Sequence, residues 1–130
     1  MPIDESIAGR EFSAARPYEV TERAVRAFAA ATRASGDRVP ATFPIVVAFH
    51  AMAEFIVAGG LDLSRVVHGD EHFAYERPLR IGDTLSATLT VDNVRDVSGN
   101  GFYSTTTRIT DEAGDLVCTA RATLVHRAAA

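Results

Sequence analysis

Residues 43–58 are the most constraining stretch of this chain, because they are apolar on nearly every side of a helix and include one histidine, His50. A helix with that pattern is normally buried all round. A chain of 130 residues suits one domain with one core. In a chain of this size we expect a curled sheet to pack around the helix and bury it. We therefore expect a single domain over residues 1–130 with this helix at its centre.

The remaining sequence divides into a helical first half and a strand-rich second half. Thr21 suits an N-cap, and glycine commonly stops a helix, so a first helix is expected to end near residues 35–36. In the second half, apolar and polar residues alternate in three runs separated by turns at residues 98–101 and 111–115. These patterns predict an α+β fold in which an antiparallel sheet wraps around the central helix.

Composition and charge argue against several classes of protein. The chain is 47% apolar, its net charge is −4, and it has no basic run, which argues against disorder and against a nucleic-acid partner. A single cysteine, Cys118, excludes an intrachain disulfide and a cysteine-based metal site. The first five residues have no signal-peptide core, and the apolar helix is too short for a membrane span. We expect a cytoplasmic protein without a membrane partner.

The edges of such a sheet bear on assembly. A sheet curled around one helix leaves its edge strands open, and an open edge invites pairing with another chain. We therefore expect a dimer with a continuous sheet, formed with a second chain of the same fold.

Three segments resemble the hot-dog fold of acyl-thioester enzymes, and specifically the MaoC-like dehydratases. They are residues 39–43 before the helix, 73–85 in the sheet and 109–117 around a turn. Within this family the chain is most similar to the short subunits of actinobacterial (3R)-hydroxyacyl-carrier-protein dehydratases. The resemblance implies a thioester substrate, carried on acyl carrier protein or coenzyme A, in fatty-acid or polyketide biosynthesis.

The MaoC-like hydratase motif is Ser-Gly-Asp-x-Asn-Pro-x-His, and its Asp and His form the catalytic pair. Residues 35–42 resemble it, with Asp37 in the Asp position, Val39 in place of the Asn and Thr42 where the His should be. The family's usual long segment between this motif and the central helix is almost missing. The resemblance implies that such a subunit, as one half of a heterodimer, shapes the acyl tunnel while its partner supplies Asp and His.

The central helix also resembles that of the bacterial dehydratases of fatty-acid elongation, which carry Met-Pro-Gly-Val-x-x-x-Glu-Ala-Met-Ala there. In that register His50 takes the place of the catalytic carboxylate and points into a tunnel. Burial favours the neutral form of an imidazole, which suits a general base. Glu54 lies one helical turn after His50 and shares its face.

His50 and Asp37 are therefore the predicted catalytic residues. The alternatives are purely structural roles: His50 as a core histidine bonded to a backbone carbonyl, and Asp37 as an aspartate that stabilises a turn. The N–H groups at the start of the helix are candidates for polarising the thioester carbonyl. The predicted substrate-binding residues all belong to this helix: Phe43, Val46, Val47 and Glu54.

His68 and His72 lie in an extended run, and a His-x₃-His pair can bind a metal ion. On a regular strand a spacing of four places both side chains on one face, about 13 Å apart. One ion cannot bridge that distance, so we expect no metal. We expect no other cofactor either.

Three functions remain open. The first is a dehydratase subunit that relies on a partner chain for catalysis. The second is a self-sufficient homodimeric dehydratase or thioesterase that uses His50 with Asp37 or Glu54. The third is a noncatalytic acyl-binding scaffold protein on the same fold, because hot-dog proteins include all three kinds.

Overall fold

The computed structural model describes residues 3–35 and 38–129. Single turns of 3₁₀ helix at Glu5–Ile7 and Leu63–Arg65 precede the first and third strands. The main elements, in chain order, are β1 (Glu11–Ser13), β2 (Tyr18–Glu19), α1 (Glu22–Thr32), α2 (Pro44–Ala58), β3 (Val66–Tyr75), β4 (Thr84–Val97), β5 (Asn100–Thr110) and β6 (Leu116–His126).

The strands form one antiparallel sheet in the order β1-β4-β5-β6-β3, and β2 pairs separately with β4. The predicted meander of β4, β5 and β6 is confirmed. Its first turn is tight because Ser98 and Gly99 both have positive φ, 54° and 86°. The sheet curls around α2, which packs against β1, β4, β5 and β6. The predicted hot-dog architecture, an antiparallel sheet around an apolar helix, is therefore confirmed.

The central helix α2 is not buried all round, so that expectation was wrong. Phe49 and Val57 are 46% and 79% exposed, and His50 and Glu54 are exposed as well. The reason is geometric: the sheet covers one side of the helix, and within one chain little covers the other. The buried side holds Pro44, Val47, Ala48, Ala51, Met52, Phe55 and Ile56.

Helix α1 begins as predicted, since the Thr21 hydroxyl accepts a hydrogen bond from the Ala24 N–H at 3.1 Å. Its predicted end near residues 35–36 was wrong. Arg33 adopts a left-handed φ of 58°, and the Ala34 N–H then donates to the Ala29 carbonyl at 2.8 Å. These contacts satisfy the last carbonyls and end the helix without a glycine.

Strand β3 lies at one edge of the sheet and carries a bulge between His68 and Asp70. The extra residue reverses which side chains face the core. His68 and Glu71 pair with buried residues of β6, whereas His72 pairs with exposed Arg121. The expectation that His68 and His72 share one face was therefore wrong, because it assumed a regular strand.

Within the described residues, β3 pairs with β6 alone, so its other edge has no strand partner. In the same part of the chain, no helix is both long enough and apolar enough to cross a membrane.

Candidate functional site

His50 lies on the outer side of α2, exposed, with its ring centroid 5.4 Å from that of Tyr18. Glu54 is exposed one turn further along. Together with residues 14–17, these side chains border a cavity of about 360 Å³. The structure thus brings His50 and Glu54 together, but not in the buried setting that was expected. Asp37 lies outside the described residues, so the catalytic roles of His50 and Asp37 stay predictions.

The other predicted substrate-binding residues lie closer to the core. Phe43 and Val47 are 0% and 1% exposed, and Val46 is half-buried. The Phe43 ring packs against Phe28 and Tyr18, with centroid distances of 5.3 and 6.2 Å. Phe43 and Val47 are thus covered by the chain's own side chains, and their contact with an acyl chain stays a prediction.

The first N–H groups of α2 already have acceptors. Phe43, Ile45 and Val46 donate to carbonyl oxygens of the preceding turn at 3.0, 3.2 and 2.9 Å, and Pro44 has no N–H. Residues 43–46 therefore offer no free donor of the kind that polarises a thioester carbonyl. The expectation of an oxyanion site at this helix start was wrong for this chain, because the entry into the helix is a tight turn.

A cavity of about 260 Å³ lies between the start of α2 and the edge strand β3. Thr42, the residue that the motif resemblance aligns with the family's histidine, lines this cavity. The ionisable groups that line it are His68 and Glu71, and its walls are Ile45 and Phe73. The position that resembles the family's catalytic site thus holds a threonine, beside a different pair of titratable residues.

Glu71 has an unusual environment for a carboxyl group. Its side chain is 16% exposed, and both of its oxygens are buried without a hydrogen-bond partner. The His68 Nε2 approaches one oxygen to 3.3 Å but does not form an aligned hydrogen bond with it. Burial, helped by the charge of Asp70, raises the pKa of Glu71 to about 7. Glu71 can therefore exchange a proton near neutral pH.

Sequence analysis missed this pair. A spacing of three places His68 and Glu71 on opposite faces of a regular strand. The signal that could have found them is Gly69, since a glycine inside a strand often marks a bulge. A Cβ added at Gly69 would lie 3.2 Å from the Thr123 carbonyl oxygen, so this close approach favours glycine.

A larger cavity, of about 530 Å³, lies between the loop before α2 and the segment that follows β3. The Tyr75 hydroxyl donates to the Ala41 carbonyl and ties the two segments together. Burial raises the pKa of Tyr75 to about 12 and that of the nearby Cys118 thiol to about 11, so both groups stay neutral. The apolar part of the lining comprises Ala34, Val39, Pro40, Ala41, Pro78 and Leu79.

Metal ligation finds no support in the described residues. Across 3–35 and 38–129, no group of three or more His, Cys, Asp or Glu side chains is placed to hold an ion.

Comparison with known sequences identifies relatives along nearly the whole chain. The profile of the family described as "FAS1-like, dehydratase domain region" matches residues 6–120. A UPF0336 protein of Streptomyces avermitilis is 37% identical, and the match covers 99% of this chain and 98% of that protein. A UPF0336 protein of Thermobifida fusca is 32% identical over 98% of this chain and 95% of its own length. The first alignment runs over 147 residues, so that relative contains residues with no counterpart here.

Solved structures share the fold. The HadBC (3R-hydroxyacyl-ACP dehydratase) complex of Mycobacterium tuberculosis superposes with a TM-score of 0.79 at 23% identity, covering 92% of this chain and 96% of the matched one. A MaoC-like dehydratase superposes with a TM-score of 0.75 at 26% identity, covering 95% of this chain and 43% of that chain.

Proposed function

This chain belongs to the family of FAS1-like dehydratase regions, and from that premise we propose that it is one subunit of a (3R)-hydroxyacyl thioester dehydratase. In this proposal a second hot-dog chain supplies the catalytic Asp and His, and this chain shapes the acyl tunnel. The substrate is carried on acyl carrier protein or coenzyme A, in fatty-acid or polyketide biosynthesis.

The observation that carries the proposal is Thr42 at the start of α2. A dehydratase needs a base for the α-proton and an acid for the departing hydroxyl, and threonine serves as neither at neutral pH. The neighbouring N–H groups of Phe43, Ile45 and Val46 are engaged within their own turn. The chain therefore has a threonine at the position that resembles the family's catalytic histidine, and the N–H groups of Phe43, Ile45 and Val46 beside it are already bonded.

The uncovered surfaces suit a partner of the same fold. The open edge of β3 presents unpaired backbone groups, which can continue the sheet into a second chain. The outer side of α2 presents an apolar stripe, defined as Val46, Phe49, Ala53 and Val57. Exposed apolar surface of this kind is typical of protein interfaces. The similarity to a structure described as a complex supports the same assembly.

The tunnel is proposed to use the 530 Å³ cavity beside the loop that precedes α2. Its apolar walls suit an alkyl chain, and its place next to residues 38–41 brings it close to the segment that resembles the family's catalytic motif. Because this chain has almost no segment between the motif and α2, we expect the mouth of the tunnel to be open.

Co-expression tests the proposal. The chain is expressed with a hot-dog protein from a neighbouring gene that has an intact Ser-Gly-Asp-x-Asn-Pro-x-His motif, and the co-purified complex is assayed for hydration of a crotonyl thioester. We expect turnover that is lost when the partner's motif histidine is replaced by alanine. A stable complex that never turns over would instead support a noncatalytic scaffold.

A self-sufficient homodimer is the second candidate. The specific observation in its favour is the 360 Å³ cavity that His50 and Glu54 border beside Tyr18. In that case the purified chain alone would hydrate the thioester, or hydrolyse it as a thioesterase, and the His50→Ala variant would not.

A further inference from the structure

We propose that Tyr75 closes a passage between two apolar cavities of this chain and thereby limits the length of the acyl chain that the protein accepts. The larger of the two is the cavity of about 530 Å³ beside the loop that precedes α2, and the smaller is the cavity of about 260 Å³ between the start of α2 and β3. The inference rests on the proposed function in taking the larger cavity as the acyl tunnel. It goes beyond that function because it assigns chain-length selection to one residue.

The two cavities are neighbours along both segments that line them. Ala41 and Tyr75 line the larger cavity, whereas Thr42 lines the smaller one together with Phe73. No residue that the structure describes lines both cavities. Phe73 and Tyr75 are two residues apart on one face of β3, where their neighbours on β6 are both buried. Such side chains lie about 7 Å apart, so the boundary between the cavities is no wider than one side chain.

A single contact spans this boundary. The Tyr75 hydroxyl donates a hydrogen bond to the Ala41 carbonyl, so the tyrosine reaches from β3 across to the loop that precedes α2. The side chains of Ala41 and Thr42 on the loop are small. The group that blocks the passage is therefore the side chain of Tyr75 rather than the loop.

Both cavities offer an alkyl chain an apolar surface. The surface of the smaller cavity is almost entirely apolar, with Ile45 and Phe73 as its walls. Glu71 does not change this, because both of its carboxyl oxygens are buried. A chain that passes Tyr75 would bury further methylene groups there, and each should tighten binding by about fourfold. Tyr75 thus determines how many methylene groups the chain can bury.

Binding measurements on the full chain test the inference. The probes are straight-chain acyl thioesters of N-acetylcysteamine, from butanoyl to dodecanoyl, and their dissociation constants are measured by isothermal titration calorimetry. For the wild type we expect the affinity to rise with each methylene group and then to level off, once the larger cavity is full. For Tyr75→Ala we expect the affinity to go on rising beyond that length, by about fourfold for each further methylene group.

Further variants separate the passage from the fold. Tyr75 is 37% exposed and held by one hydrogen bond, so its replacement should leave the circular dichroism spectrum unchanged. Tyr75→Leu, which keeps an apolar side chain but no ring, is a second opening variant in case the alanine variant does not fold. Tyr75→Phe keeps the ring and should extend the accepted length less than either of them.

Two controls locate the additional binding. Adding Ile45→Trp to an opening variant fills the smaller cavity and should restore the limit of the wild type. His72→Ala lies on the outer face of β3 and should also keep that limit. The inference would be overturned by one common limit for the wild type and the opening variants, by a longer limit that survives Ile45→Trp, or by a failure of every protein to bind any thioester.

The hydration assay distinguishes this inference from the proposed function. A chain-length limit that depends on Tyr75, in a chain whose complex with the motif-bearing partner never hydrates a crotonyl thioester, supports the inference and refutes the proposed function. An active complex whose preference for acyl length is the same with Tyr75→Ala overturns the inference and leaves the proposed function intact.

Discussion

At the scale of single residues, Glu71 and Thr42 decide which chemical groups line the cavity between the start of α2 and β3. The alignment of Thr42 with the motif histidine is a prediction from the sequence alone. The alternation of residue types does not predict the pairing of His68 with Glu71, since the pairing depends on a bulge that shifts the register of β3, for which Gly69 is the only local signal. One extra residue in a strand moves every later side chain to the other face of the sheet. The side chains that line the cavity between the start of α2 and β3 therefore depend on the bulge, which the alternation of residue types does not reveal.

Glu71 should make the stability of the protein depend on pH. Its pKa is about 7 in the folded chain against an ordinary value of 4.5. The folded state therefore holds this proton more tightly, so the resulting stability is complete below pH 4.5 and is lost as the pH rises through about 7. The free energy of unfolding in urea should fall more between pH 5 and pH 8 for the wild type than for Glu71→Gln.

An exposed glutamate provides the control for that comparison. Glu54→Gln removes a carboxyl from the outer side of α2 and should leave the pH dependence of the wild type unchanged. Parallel pH profiles for the wild type and Glu71→Gln would show that Glu71 titrates normally in the folded protein.

At the scale of elements, prediction succeeded where a local pattern acts alone. Alternation located β4, β5 and β6, and Thr21 located the start of α1. The predicted end of α1 was wrong because Arg33 adopts a conformation that usually requires glycine. The prediction that α2 is buried all round was wrong for another reason. An apolar sequence indicates that a helix packs against other residues, but it does not show whether those residues belong to the same chain.

The cap of α1 should stabilise the protein measurably. Replacing Thr21 with alanine removes the acceptor of the Ala24 N–H, and we expect a loss of about 1 kcal/mol in the free energy of unfolding. Thr32→Ala is the matched variant at the other end of α1, where the hydroxyl only bonds back to the Phe28 carbonyl, and it should change stability by less than about 0.5 kcal/mol. Equal losses in urea denaturation would contradict a capping role.

At the scale of the whole molecule, the apolar stripe on α2 and the open edge of β3 point to assembly. Phe49→Glu places a charge in the middle of the stripe, and burying that charge in an interface is costly. In sedimentation velocity we expect this variant to sediment without the second hot-dog chain that it is proposed to bind. Its circular dichroism spectrum should match that of the wild type.

The control for assembly lies on another part of the surface. Ile81 is 53% exposed in the turn before β4, and Ile81→Glu should leave the sedimentation behaviour unchanged. If Phe49→Glu assembles as well as Ile81→Glu does, the stripe is not part of the interface.

The proposed function requires that the groups for dehydratase chemistry come from outside this chain. The most direct measurement is the rate at which the purified chain alone hydrates a crotonyl thioester, followed by the loss of enoyl absorbance, for the wild type and for His50→Ala. We expect that neither protein exceeds the uncatalysed rate, and that addition of the motif-bearing partner gives equal turnover with both. Hydration by the wild-type chain alone that His50→Ala abolishes would refute the proposed function.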